Sequence, residues 1–295
     1  MLAHLYRKLI PLSIRSFIYN IILGKLLFFV RHFNVIFKSK LTYLFGFLLP
    51  KTEENKAYAF IGRYGITSYP YNYMLEYKRR EIKVEFDTKL KLPYVVHNNR
   101  KLYFPDFYTV EKTIKDYRAL ITEQDIRSSH RYVRSYDELK GKTLLDIGSA
   151  EGIFALDTIE LVDKAYIFEC EDFWLNPLEA TFAPWKNKVT FIKKYVGDKT
   201  SGVFITIDDF LKVLPKDNLF LKMDIEGAER PALLGAQETL KHGKFIQLAI
   251  CTYHREGDPE YVNSMLSGYG FTSEFSDGLM YWNKRLSKGV IRSHN

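Results

Sequence analysis

From residue 142 onward, short apolar runs alternate with stretches of helical spacing. TLLDI (143–147), AYIFE (165–169), VTFIKKYV (189–196), LFLKMD (219–224) and FIQLAIC (245–251) have the length and composition of strands covered on both faces. Between them lie helical patterns such as residues 231–240. Repetition of strand, helix and strand requires parallel pairing through right-handed crossovers, so the expected fold is α/β, a mostly parallel sheet with helices on both faces. Near the end, FTSEF and LMYW read as a closing hairpin.

The chain before residue 142 follows other rules. Residues 1–51 hold Arg7, Lys8, Arg15, Lys25, Arg31, Lys38, Lys40 and Lys51 and no acidic residue, which accounts for the whole net charge of +8. The rest of the chain is balanced, and with no zinc-finger or base-stacking motif a nucleic-acid partner is not expected. The uncharged runs of this segment are about half of the ~20 residues that span a bilayer. Residues 1–50 therefore read as basic amphipathic helices, which either lie on an anionic membrane surface or pack on protein, in the same chain or in an oligomer. Residues 51–77, rich in Gly, Pro and Tyr, read as a connector with short turns. A hairpin is expected around Asn98-Asn99, with Val95 and Leu102 on its two arms. Helical spacing at Val110, Ile114, Tyr117 and Ile121 leads into EQDIRSSHRY. Three parts result: residues 1–50, a connector and small α+β cap at 51–135, and a ligand-binding domain at 136–295. With no secretion signal and two cysteines, Cys170 and Cys251, the expected setting is cytoplasmic, or peripheral at the inner membrane face.

DIGSAEG (146–152) follows the first strand and opens the first helix, where open α/β sheets bind nucleotides. Gly148 permits a tight turn and Gly152 a close approach of helix to sheet. Glu169 ends the next strand 23 residues after Asp146, near the ~20 expected of a carboxylate that receives ribose hydroxyls. Asp146 at the strand end and Glu151 at the helix start oppose a phosphate. A cofactor with a ribose, an ammonium and no phosphate suits them better, and S-adenosylmethionine is the common one of that kind. Ser149, Cys170, Asp198 (after the third strand, beside the adenine) and Asp224 complete the expected cofactor set.

DIGSAEG, FECEDFW, TFAPWKNKV, ITIDDF, LKMDIEGAE and ICTYHREGD, in this order, resemble FkbM-type S-adenosylmethionine-dependent methyltransferases over residues 144–282. YVVHNNRKLYFP, EQDIRSSHRY and KGVIR extend the likeness, and the first fifty residues lie outside it. The resemblance implies a Rossmann-like, class I sheet of seven strands, methyl transfer to an oxygen, and a glycan or natural-product acceptor. The implied strand order 3-2-1-4-5 separates the second and fifth strands by three spacings, about 14 Å. Disulfide Cα atoms must come within about 7 Å, so Cys170 and Cys251 should be free thiols.

Displacement at a sulfonium methyl needs the acceptor oxygen held in line, with a base beyond the carboxyl ends of the strands. His254, after the fifth strand, is the expected base. Asp224 or Glu226 would orient its ring, or would bind magnesium or manganese with it and with Asp258. Glu229, just before Arg230-Pro231, supports a helix start. Glu123, Gln124, Asp125, His130, Arg131 and Tyr132 form a polar cluster for which two readings stand, acceptor binding and a salt-linked surface cap. The expected activity is O-methylation of a sugar hydroxyl in a glycan or glycolipid. The alternatives are a small natural-product acceptor and a protein that binds the cofactor without catalysis.

Overall fold

A computed structural model describes residues 24–295. The first part of the basic segment, with Arg7, Lys8 and Arg15, lies outside the described residues. The chain divides into two compact units, residues 1–71 and 72–295.

In the first unit, α1 (Gly24–Phe45) packs on α2 (Glu53–Tyr64). Val35, Ser39 and Thr42 are buried from α1, and Ala57, Tyr58, Phe60, Ile61 and Gly62 from α2. At Gly62 a Cβ would fall 2.1 Å from the carbonyl oxygen of Ser39, so the two backbones touch there. The connector expected at 51–77 is thus corrected, since it contains a twelve-residue helix. Thr52 caps it by accepting from the Asn55 N–H, Glu53 and Glu54 suit the positive end of the dipole, and Gly65, at φ 92°, ends it. No helix among the described residues is long and apolar enough to cross a membrane.

The second unit opens with α3 (Tyr73–Lys78) and an antiparallel sheet of β1 (Val84–Asp87), β2 (Leu92–His97) and β3 (Arg100–Tyr103). Asn98 and Asn99 turn the predicted hairpin with φ of 48° and 63°, and Val95 faces Leu102 in the ladder. After α4 (Val110–Glu123) come β4 (Thr143–Ile147), α5 (Ile153–Thr158), β5 (Lys164–Phe168), α6 (Asp172–Phe182) and β6 (Val189–Ile192). The run read as one strand at 189–196 breaks. Its end forms β7 (Tyr195–Val196), which pairs with β8 (Phe204–Ile205) in a separate sheet. Next are α7 (Ile207–Phe210), β9 (Leu219–Met223), α8 (Glu229–Leu234), α9 (Gln237–His242), β10 (Gln247–Cys251) and α10 (Asp258–Gly268). The helix expected over 231–240 divides into α8 and α9 around Gly235, where a Cβ would fall 2.0 Å from the carbonyl oxygen of Gly197.

The chain closes with β11 (Thr272–Phe275), β12 (Met280–Trp282), β13 (Arg285–Ser287) and β14 (Val290–His294). FTSEF and LMYW do not pair with each other: β11 pairs with β14, while β12 turns through Asn283-Lys284 onto β13. Alternation identifies strands but not partners, and the second tight turn was the missing signal. The main sheet runs β11-β14-β10-β9-β4-β5-β6, with β14 antiparallel to both neighbours and the other pairs parallel. Its central strand β9 is buried throughout, and Leu145, Ile147, Leu221, Met223, Leu248 and Ile250 join Leu233 and Leu240 in the core. Order reverses between β4 and β9, so the turns after these two strands open on a common crevice. Cys170 follows β5 and Cys251 ends β10, three strands away, and both are free.

Candidate functional site

The crevice starts at the turn after β4. Gly148 has φ +77°, and a Cβ on it would fall 2.0 Å from the carbonyl oxygen of Asp224, so this turn rests directly on the one after β9. Gly148 and Ser149 both donate to the Phe168 carbonyl, at 3.1 and 3.2 Å. Ala150 is held in the left-handed region at φ 48°, and its N–H donates to Glu169 Oε2 at 2.8 Å. The other oxygen of Glu169 accepts from the N–H groups of Cys170 and Glu171 at 2.7 and 2.8 Å. One carboxylate therefore ties the two strand ends together. Gly152 has a packing role, since a Cβ there would meet Leu178 and Phe182 of α6.

Behind the turn lies an ion pair that the sequence reading overlooked. Lys222, in the middle of β9, donates to the Gly148 carbonyl and stands 3.1 Å from Asp146 Oδ1, with side chains only 5% and 1% exposed. Burial opposes its charge, but Asp146 and Asp224 outweigh that and raise the ammonium above its ordinary range. Ser149 Oγ donates to the other oxygen of Asp146 at 2.9 Å. Burial, aided by the charge of Glu123, pushes the Glu151 carboxyl up to about 8. The electrostatic case against a phosphate is corrected accordingly, because Asp146 is paired with Lys222 and Glu151 is neutral near pH 7.

The crevice holds a cavity of about 440 Å³, within the usual range for small-molecule sites. Gly148, Ala150, Glu169 and Cys170 form its base, Trp174, Tyr195 and Phe204 its aromatic walls, and Asp224 and Glu226 line it as well. Asp198 is exposed and outside this lining, and Lys194, Tyr195 and Val196 occupy the side expected of it. The donor chemistry suits S-adenosylmethionine: carboxylates of Glu169 and Glu171 could receive ribose hydroxyls, the aromatic walls an adenine, and Asp224 the positive charge.

Beside Asp224 four rings converge. Tyr132 donates to Oδ2 at 2.8 Å, Tyr253 donates to Oδ1 at 3.4 Å, and the Nε2 atoms of His130 and His254 lie 3.5 Å from Oδ2 and Oδ1 respectively. Burial opposes its ionisation, yet His130, Lys222 and His254 hold the carboxyl far below the usual range. His254 Nδ1 is 2.8 Å from Glu229 Oε1, which also accepts from the Ile225 N–H at 3.0 Å. Glu229 is fully buried, so the carboxylate read as a helix-start residue also fixes the imidazole. His254 Nε2 has no hydrogen-bond partner and lies 3.5 Å from both Asp224 Oδ1 and Glu226 Oε2. Burial lowers the basicity of His254, but the bond to Glu229 and the charges of Glu229, Asp224 and Glu226 raise it on balance. Trp282 stands beside this group, its ring 5.5 Å from Tyr253 and 6.3 Å from His254.

For a metal, donor atoms of Asp224, Glu229 and His254 lie within 4.8 Å of one another. Asp258 does not join them, being 2.6 Å from Arg230 Nε and accepting from the Arg255 N–H at 2.9 Å. The polar cluster before β4 also divides. His130 and Tyr132 reach Asp224, whereas Arg131 donates to the Gln124 and Val133 carbonyls and to Tyr136, and Asp125 binds Arg127 and Tyr77. Gln124 is buried, and Glu123 is partly exposed with its charge acting on His130. Of the residues missed, Lys222 was legible as a lysine within an apolar strand; nothing in the sequence singled out Tyr253.

Fold and site together are a seven-stranded, mostly parallel sheet with a small-molecule cavity where its strand order reverses. Residues 185–273 match the family model of the methyltransferase FkbM domain. Among solved structures, the methyltransferase FkbM from Methylobacillus flagellatus KT is 21% identical over 62% of this chain and 54% of its own, with a TM-score of 0.42. This chain thus spans about half of that protein. Magnesium protoporphyrin IX methyltransferase (ChlM) from Synechocystis PCC 6803, solved with bound SAM, is 14% identical over 64% of this chain and 86% of its own, with a TM-score of 0.41. No curated protein matches the chain.

Proposed function

We propose that this protein transfers a methyl group from S-adenosylmethionine to a hydroxyl oxygen of a glycan or glycolipid. The observation that carries this reading is His254 Nε2, unpartnered, fixed from behind by Glu229 and facing Asp224 at the cavity. The cofactor, when bound, supplies an electrophilic methyl on a sulfonium. Glu229 holds the proton on Nδ1, which leaves Nε2 as the lone pair that takes the hydroxyl proton. The imidazolium formed there is surrounded by Glu229, Asp224 and Glu226. General-base catalysis of this kind contributes about 10²–10⁴ fold, and positioning of the oxygen contributes more. The reading needs no metal, because Glu229 already satisfies Nδ1; full activity after dialysis against a chelator is the expected result. The direct test incubates the protein with labelled S-adenosylmethionine and separated glycolipid and polysaccharide fractions. Label in a hydroxyl-linked methyl supports the proposal, label at nitrogen or carbon overturns the O-transfer, and label in small-molecule extracts alone overturns the glycan acceptor.

Attachment to an anionic membrane surface is proposed for the first unit. Leu26, Leu27, Phe28, Phe29, Val30, Phe33 and Phe37 of α1 are exposed among Lys25, Arg31, Lys38 and Lys40, a combination that suits an anionic lipid surface. Flotation with vesicles containing phosphatidylglycerol, lost in Phe29→Glu/Phe33→Glu, is the expected result. Equal flotation of that variant refutes the attachment.

A further inference from the structure

Two adjacent aromatic residues at the start of α6 serve different cavities. Trp174 lines the cofactor cavity, while Phe173, 42% exposed, lines a second one of about 420 Å³ with Lys91, Asp106, Asn176 and Glu179. Phe107, 60% exposed, joins them: its ring lies 5.7 Å from Phe173 and 5.3 Å from Tyr108, and Tyr108 lies 6.0 Å from Trp174. Phe173 and Trp174 close the set at 5.5 Å. The four rings make one continuous ledge from the donor cavity to the second cavity.

We propose that this ledge and the second cavity form a saccharide subsite, which holds a sugar ring of the acceptor remote from the hydroxyl that is methylated; this rests on the glycan reading above. Aromatic faces cover the C–H face of a pyranose, and the amide, carboxylates and ammonium beside them match its hydroxyls. An acyl chain would leave those four polar side chains facing hydrocarbon, which disfavours a lipid. Contacts at such a distance from the chemistry give an enzyme binding energy that it uses to place the reacting oxygen.

The test is saturation-transfer NMR on the full chain saturated with S-adenosylhomocysteine. The probes are methyl α-glycosides of glucose, galactose, mannose and rhamnose, their disaccharides, and octyl glucoside. Transfer to pyranose ring protons is expected, with affinity about tenfold weaker in Phe107→Ser/Phe173→Ser, from the loss of two aromatic contacts. Affinity for S-adenosylhomocysteine should be unchanged in that variant, because neither side chain lines the donor cavity. The proposal is overturned if no probe receives transfer, if the double substitution leaves the affinity unchanged, or if only the octyl chain is contacted. A protein that contacts sugars in this way without binding S-adenosylhomocysteine would keep the subsite and refute the methyltransferase reading.

Discussion

Replacing Lys222 with Met should expose how much the glycine turn depends on a buried charge. In the wild type the Lys222 ammonium stands 3.1 Å from Asp146 and donates to the Gly148 carbonyl, where neither side chain is more than 5% exposed. Methionine keeps the length of the side chain and removes both interactions. Asp146 is then left with the Ser149 hydroxyl as its hydrogen-bond donor, in a place where its charge has lost its partner. Breaking a buried pair from one side costs about 3–5 kcal/mol. For a unit of this size that lowers Tm by roughly 6–20 °C. Because the pair is buried, added salt should change the loss little. The double variant Lys222→Met/Asp146→Asn removes the stranded charge and should recover at least about 1 kcal/mol relative to the sum of the single changes. Urea unfolding of the two single variants and the double variant measures this cycle, and titration with S-adenosylmethionine reports the turn. A loss under about 1 kcal/mol in Lys222→Met, or strict additivity in the cycle, would show that the ion pair does not hold the turn.

Three further outcomes are expected. The Glu151 carboxyl is raised to about 8 in the fold, so the native state binds more protons than the unfolded chain between about pH 4.5 and 8; this group should make stability fall as pH rises across that window, by up to about 1.4 kcal/mol per pH unit, and Glu151→Gln should make the measured slope shallower, the remainder coming from His130, His254 and Glu226. Gly148→Ala places a Cβ against the Asp224 carbonyl at φ +77°, and isothermal titration should show S-adenosylmethionine affinity at least about tenfold weaker; unchanged affinity would refute the close approach of the two turns. In His254→Gln, methyl transfer to the accepting fraction should fall about 10²–10⁴ fold while cofactor affinity holds, and in Glu229→Gln the fall should be smaller; retention of full activity in His254→Gln would remove it as the base.

Much of this molecule could be read along the chain. Five apolar runs placed the parallel strands, Asn98-Asn99 located a hairpin to the residue, and DIGSAEG with Glu169 marked the crevice. The errors share a cause. VTFIKKYV was one run but two strands in different sheets, FTSEF and LMYW were two strands with other partners, and residues 231–240 were one pattern but two helices. In each case the partner lay outside the run itself: β8 for Tyr195–Val196, β14 and β13 for the two closing strands, and the Gly197 carbonyl for Gly235.

The sequence by itself determined the parallel strands, their order and the position of the glycine turn, because periodicity and turn chemistry act over a few neighbouring residues. Only the tertiary structure decided what the ionisable groups do. Asp146, Glu151 and Glu229 each read as a carboxylate at the edge of an element. Packing made the first an ion-pair partner of Lys222, the second a neutral acid and the third the support of His254. Charge in a protein depends on burial and on the nearest opposite charge, and both are set by strands and helices far apart in sequence.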